Sequence, residues 1–196
     1  MSRAGTGHMA QWASRPLCAE YFFVSFGWQT AALSVGSDVR NLSFCWALGT
    51  LDDGQAEILG WWFGSQTGLD EWSTISTDLT ARGVKRIRVL AAPTGALINQ
   101  VRADSPCIHG DASSSHPLSE ARKRRIADAS AQMCLVRDSL SRAFSRHSAL
   151  ADADSIATLV DRELQHLDHR LWSHPDVAVQ RSSRVSDPML ARAVTA

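Results

Sequence analysis

The chain has no surplus of charge. Lys and Arg number 20, Asp and Glu number 20, and the formal net charge is zero. Without a global positive field it cannot hold nucleic acid over its whole surface, so any affinity for DNA must come from a local patch. Paired cysteines are lacking too: Cys18, Cys45, Cys107 and Cys134 lie far apart with no CxxC, which argues against a disulfide framework. The first twenty residues contain Arg3, Arg15 and two glycines but no continuous apolar core of a signal peptide, so a reduced, cytoplasmic protein is expected. The longest apolar stretch, Tyr21 to Val35, is broken by Gln29 and Thr30. It falls short of the roughly 18–20 residues that cross a bilayer, and no membrane partner is expected. There is no internal repeat. Ser25 sits in Val24-Ser25-Phe26 without the G-x-S-x-G turn of a serine hydrolase. No motif calls for a cofactor.

With 196 residues, 44% of them hydrophobic, the chain suits one globular domain with loosely attached ends. Tyr21 to Phe26 is aromatic and β-branched and reads as a buried strand ending at Gly27, with Gln29 to Val35 as its hairpin partner. Leu42 to Leu48 alternates. Asp52-Asp53-Gly54 then turns the chain into Ala56 to Trp62, which makes a β-meander. Leu69, Trp72, Ile75 and Leu79 recur at spacings of three and four, the stripe of an amphipathic helix over 68–81 that Gly83 stops. Val84 to Leu90 reads as a strand, Pro93-Thr94-Gly95 as a turn, and Ala96 to Ala103 as a short helix. Ser105 to His116 is loop-like. Leu118 to His147 carries Ile126, Met133, Leu140 and Phe144 at helical spacing. Asp154 to Trp172 is a second helix, with Asp154 or Ser155 as its cap. The expected organisation is a core over 1–104, a flexible loop over 105–117, a helical region over 118–174 and an irregular tail over 175–196.

The order strand, strand, strand, helix, strand, helix is shared by many α/β domains. Particular residues narrow it. Gly54-Gln55-Ala56-Glu57-Ile58-Leu59-Gly60, then Gly64, Trp72, Leu79, Ala81-Arg82-Gly83-Val84 and Ile87 resemble the central block of Mutator-type bacterial insertion-sequence transposases. That block runs DG, EILG, a helix containing FW, then L-x-x-RG and a strand ending at a catalytic Asp. The spacing from EILG to RG matches without a gap. Gln132-Met133-Cys134-Leu135-Val136-Arg137 is similar to the family's Q-x-C-x-V-H element. The likeness covers roughly residues 20 to 145. It implies an α/β fold of RNase H-like type, a mixed sheet built from the meander, helix, strand and helix, followed by a helical C-terminal part.

The departures bear on activity. The resemblance implies an Asp on the first strand, an Asp after the fourth and a distant Glu, which together hold two divalent metals for phosphoryl transfer. The first Asp falls on Ser25 and the second on Ala92, in Leu90-Ala91-Ala92-Pro93; the family's His falls on Arg137, and its Glu lies further along than this chain extends. A hydroxyl is a poor neutral ligand for Mg²⁺ and a methyl is none. The expectation is a shortened, degenerate relative with no catalytic residue and no metal. Other carboxylates sit elsewhere: Asp38, Asp52, Asp53 and Glu57 at turn-rich edges of the meander, and Asp70, Glu71 and Asp78 on the helix.

For DNA, Arg122-Lys123-Arg124-Arg125 is the densest basic run, with Arg137, Arg142 and Arg146 on later turns and Arg82, Lys85, Arg86 and Arg88 as a second patch. The first run, with Arg137, is the candidate DNA-binding set. Cys107, His109, Asp111 and His116 cluster in a loop, but their spacing matches no closed zinc pattern, and a polar loop accounts for them. His166, His169 and His174 bracket a helix end, where histidines commonly favour the helix dipole. Trp61-Trp62 point to opposite faces of a strand. One face is core; the other is either edge coverage or an exposed homo-oligomer contact. Two functions follow as expectations: an inactive transposase relative that binds DNA or modulates transposition, and a protein-interaction module on the same scaffold with no DNA role.

Overall fold

The computed structural model describes residues 14–35, 37–64, 69–91, 120–147, 150 and 152–171. These form β1 (Glu20–Val35), β2 (Asp38–Thr50), β3 (Ala56–Phe63), α1 (Leu69–Ala81), β4 (Arg86–Ala91), α2 (Glu120–Ser145) and α3 (Ala153–Leu171). The short helix expected over 96–103, the loop over 105–116 and the tail after 175 lie outside the described residues.

The four strands make one mixed sheet in the order β3-β2-β1-β4, with β1 antiparallel to β2, β2 antiparallel to β3, and β4 parallel to β1. The expected break at Gly27 is not there: β1 runs unbroken through it, and the chain reverses between Val35 and Asp38, which are register partners. Gly27 has another task. It faces Trp46 across the strand pair, and a Cβ on it would come within 2.4 Å of the indole ring. Glycine is therefore a socket for a fully buried tryptophan, and the strand continues because Trp28 to Val35 go on pairing with β2.

Helices cover both faces of the sheet. On one face, Trp72, Ile75 and Leu79 of α1 meet Tyr21, Val24, Phe26, Cys45, Leu59, Ile87 and Leu90. On the other, Val136 and Leu140 of α2 and Ile156, Val160, Leu164 and Leu167 of α3 meet Ala31, Phe44, Trp46, Leu48 and Ile58. The stripes expected on all three helices are thus the faces that pack. Burying side chains of this size contributes about 1.5–3 kcal/mol each, which makes the helical C-terminal part a layer of the same core. Trp61 packs on the α2/α3 side and Trp62 on the α1 side, so edge coverage accounts for both. Gly83, at φ +105°, ends α1 as expected, with Val84 N–H bonded to the Leu79 carbonyl at 3.0 Å. The cap of α3 lies earlier than expected. Asp152 Oδ1 accepts from Ser155 N–H at 2.7 Å, and these bonds hold the Asp152 carboxyl below its usual value.

Gly27→Ala should destabilise the fold by about 1–3 kcal/mol through overpacking against Trp46. A urea midpoint equal to that of the parent would contradict the socket.

Candidate functional site

Ser25 lies on central strand β1 between Leu48 of β2 and Ala91 of β4, its register partners on either side. Cross-strand partners project to the same face of a sheet. Leu48 packs beneath α2 and α3, and Ala91 packs against the cluster of Phe22, Phe23 and Ala129 with Ile126 of α2 alongside. The row Leu48–Ser25–Ala91 is therefore a strip of small and apolar side chains under α2, with Ser25 only 7% exposed. The structure brings Ser25 beside the end of β4, where the resemblance puts the second acid; Ala92, one residue further, lies outside the described residues.

This place does not suit a pair of divalent cations. Among the described residues the groups that line it are a hydroxyl, methyls, aliphatic chains and the rings of Phe22 and Phe23, none of which offsets repulsion between two dications. Nor do acids converge elsewhere: among the described residues no group of three or more His, Cys, Asp or Glu could hold a metal ion. Asp52 is exposed and engaged with Arg88 at 3.1 Å and Arg125 at 3.5 Å. Asp78 pairs with Arg82. The loop bearing Cys107, His109, Asp111 and His116 lies outside the described residues, as does His174, while His166 and His169 are exposed on α3.

Glu57 is not at a turn-rich edge. It lies within β3 and is 1% exposed, and it anchors the densest polar network of the fold. Tyr21 Oη donates to Glu57 Oε1 at 2.5 Å, and burial, reinforced by the Glu57 charge, pushes the Tyr21 hydroxyl far above its ordinary range, so it stays a donor. Arg15 Nη2 reaches Glu57 at 3.3 Å, Asp168 of α3 at 3.1 Å and the Ile58 carbonyl at 2.7 Å. Asp168 also accepts the Ile58 N–H at 2.8 Å. Arg82 Nη1, just after α1, donates to the Leu59 carbonyl at 2.6 Å, and its Nε donates to the Arg15 carbonyl at 3.0 Å. Burial pulls the Arg82 guanidinium pKa down, and Asp78 partly opposes that pull.

This network has a definite place. β3 is an outer strand, and its register against β2 shifts between Ala47 and Leu48, leaving Leu59 as the extra residue of a bulge. Three side chains from separate parts of the chain satisfy the backbone of Ile58 and Leu59 there. The EILG and RG elements, the most specific part of the resemblance, are thus joined physically by the Arg82 bond to Leu59. Arg15, Tyr21 and Asp168 were missed by sequence reasoning. An acid inside an otherwise apolar strand signals that a buried partner exists. It does not say that the partner lies 42 residues away, as Arg15 does.

The basic run on α2 is dispersed. At about 100° per residue, four consecutive side chains point around the whole helix. Arg125 turns toward the sheet, half-buried, with its guanidinium 5.6 Å from the Phe22 ring centre and paired to Asp52. Lys123, Arg124 and Arg137 are exposed, and the side chain of Arg122 lies outside the described residues. Lys123 and Arg137 share one flank, within about 40° on the helical wheel, and Arg124 and Arg142 another.

Arg15→Met should cost about 3–5 kcal/mol, since it leaves Glu57 and Asp168 buried without their shared cation. Arg88→Met, which breaks pairs to the exposed carboxylates of Glu20 and Asp52, should cost under about 1 kcal/mol. Equal losses in urea denaturation would contradict the central place of Arg15.

Among curated proteins, none matches this chain. A family profile described as "Transposase, Mutator family" matches residues 1–101. That match takes in the first three strands, α1, β4 and the paired Ser25 and Ala91, and the chain belongs to the Mutator family of transposases.

Proposed function

We propose that this protein keeps an RNase H-like transposase scaffold, does not cut DNA, and acts by binding it, as a modulator or remnant of transposition. The sheet supports the scaffold reading: an antiparallel β3-β2-β1 meander with β4 parallel to β1 and helices on both faces. The observation that carries the inactive reading is the row Leu48–Ser25–Ala91. Phosphoryl transfer through two metals needs carboxylates on these neighbouring strands. Ser25 presents a hydroxyl, and both Ala91 and its neighbour Ala92 carry only a methyl group. Whichever alanine stands at the second acid's place, the charge that would hold the metals is missing.

Binding would use α2. Among the described side chains of the basic set, exposed Lys123, Arg124 and Arg137 can meet phosphates, since Arg125 is held against the sheet. The surface pairs Lys123–Glu120 and Arg137–Asp138 are worth only about 0–1 kcal/mol each and yield readily to a polyanion. A chain of zero net charge binds through a local patch or not at all.

The test combines cleavage and binding. Purified protein with duplex DNA and Mg²⁺ or Mn²⁺ should give no strand cleavage; robust cleavage would overturn the inactive reading. In a salt titration of binding, Lys123→Ala/Arg124→Ala/Arg137→Ala should lower the slope of log K against log salt by about 0.9 for each phosphate no longer neutralised. An unchanged slope would move the DNA face elsewhere, and no binding at low salt would favour a protein-interaction role.

A further inference from the structure

α2 and α3 leave a recess between them with a volume of about 210 Å³. Leu135, Val136, Leu167 and Leu171 line it, and Arg142 of α2 and Arg170 of α3 stand beside them. Leu135 is 58% exposed, among the most exposed large apolar side chains described. Exposing an isobutyl group this far at a recess floored by further aliphatic chains is unfavourable in water and relieved by a covering surface. Among the described residues the two arginines also stand outside the ion pairs. The ion pairs of α2 and α3 use Lys123, Arg125, Arg137, Arg162 and Asp168, and among the described residues neither Arg142 nor Arg170 pairs with a carboxylate.

We propose that this recess docks an acidic amphipathic helix of a partner protein, whose leucine-type side chains fill the cavity while its carboxylates pair with Arg142 and Arg170. Size and charge point the same way. The volume lies below the roughly 300–1,000 Å³ typical of pockets for small-molecule ligands, and suits a few aliphatic side chains projecting from a helix laid along the α2/α3 groove. One guanidinium on each helix offers carboxylates a charge-assisted bond on both sides of that helix. Nucleic acid fits poorly here, because its phosphates would lie against Leu135 and Leu171 and lose water without a polar replacement. The proposal stands apart from the DNA reading, which uses Lys123, Arg124 and Arg137.

The test uses the full chain and fluorescence anisotropy. The probe is a labelled helical peptide of about 18 residues, long enough to hold helix in water, with leucines at i, i+3, i+4 and i+7 and glutamates on both flanks. A twin peptide carries lysines in place of the glutamates. The glutamate peptide should bind saturably and more weakly as salt rises, while the lysine twin should not bind. Leu135→Asp, and separately Arg142→Glu/Arg170→Glu, should each weaken binding about tenfold or more, with the melting temperature unchanged because these side chains are exposed. Equal binding of the two peptides, failure of either variant to weaken it, or no saturable binding would overturn the proposal. Competition by a DNA duplex that is abolished in Arg142→Glu/Arg170→Glu would also overturn it and assign the two arginines to nucleic acid.

Discussion

The rest of the fold hangs on the outer edge of β3. An outer strand offers unpaired backbone groups to any passing strand, and proteins cover such edges in several ways. Here the bulge at Leu59 and the edge backbone of Ile58 are met by Arg15, Asp168 and Arg82. Each guanidinium and carboxylate gives up water in doing so, and the loss is offset by their mutual ion pairs and by the bonds to the strand backbone. One consequence is a tie between distant parts of the chain. The segment before β1, the turn after α1 and the last turns of α3 all converge on two residues of one strand, so the helical layer, the sheet and the N-terminal segment are held in one arrangement.

That tie separates the residues that mark the family from the positions where the family's chemistry is expected. The residues that identify it, Glu57, Ile58, Leu59 and Arg82, take part in covering an edge. They satisfy structural demands that persist with or without chemistry. The positions on β1 and β4 are different. Carboxylates gathered at one place repel one another unless metal binds, and at the proposed degenerate positions Ser25 and Ala92 a hydroxyl and a methyl carry no such repulsion. Ala91, the residue before Ala92, packs against the Phe22, Phe23 and Ala129 cluster.

Helix geometry imposes a similar sorting on the arginines. A run of four basic residues looks like one patch when written in a line, yet on α2 it supplies one side chain laid over Phe22 and others that face water in different directions. Which of them can meet a polyanion depends on where the sheet lies. Arg142, in line with Arg124 on the helical wheel but about five turns along, lines the same recess as Arg170 of another helix.

Periodicity was enough to place the helical stripes, the strands over 42–48 and 56–62 and the final strand, because alternation at two and recurrence at three to four residues are local consequences of burying one face. Gly83 as a helix stop was legible for the same local reason. Gly27 was not, since a glycine that ends a strand and a glycine that makes room for Trp46 look identical until the partner strand is in place. That the family's acids fall on Ser25 and Ala92 is an expectation from likeness to the family, whereas the pairing of Ser25 with Ala91 is a property of the parallel register of β1 and β4. The Arg15–Glu57–Asp168 network lay beyond reach for a plain physical reason. A buried charge announces that it needs a counter-charge, while which one it receives, across 42 or 153 residues of chain, is decided only when the sheet edge and the last helix come together.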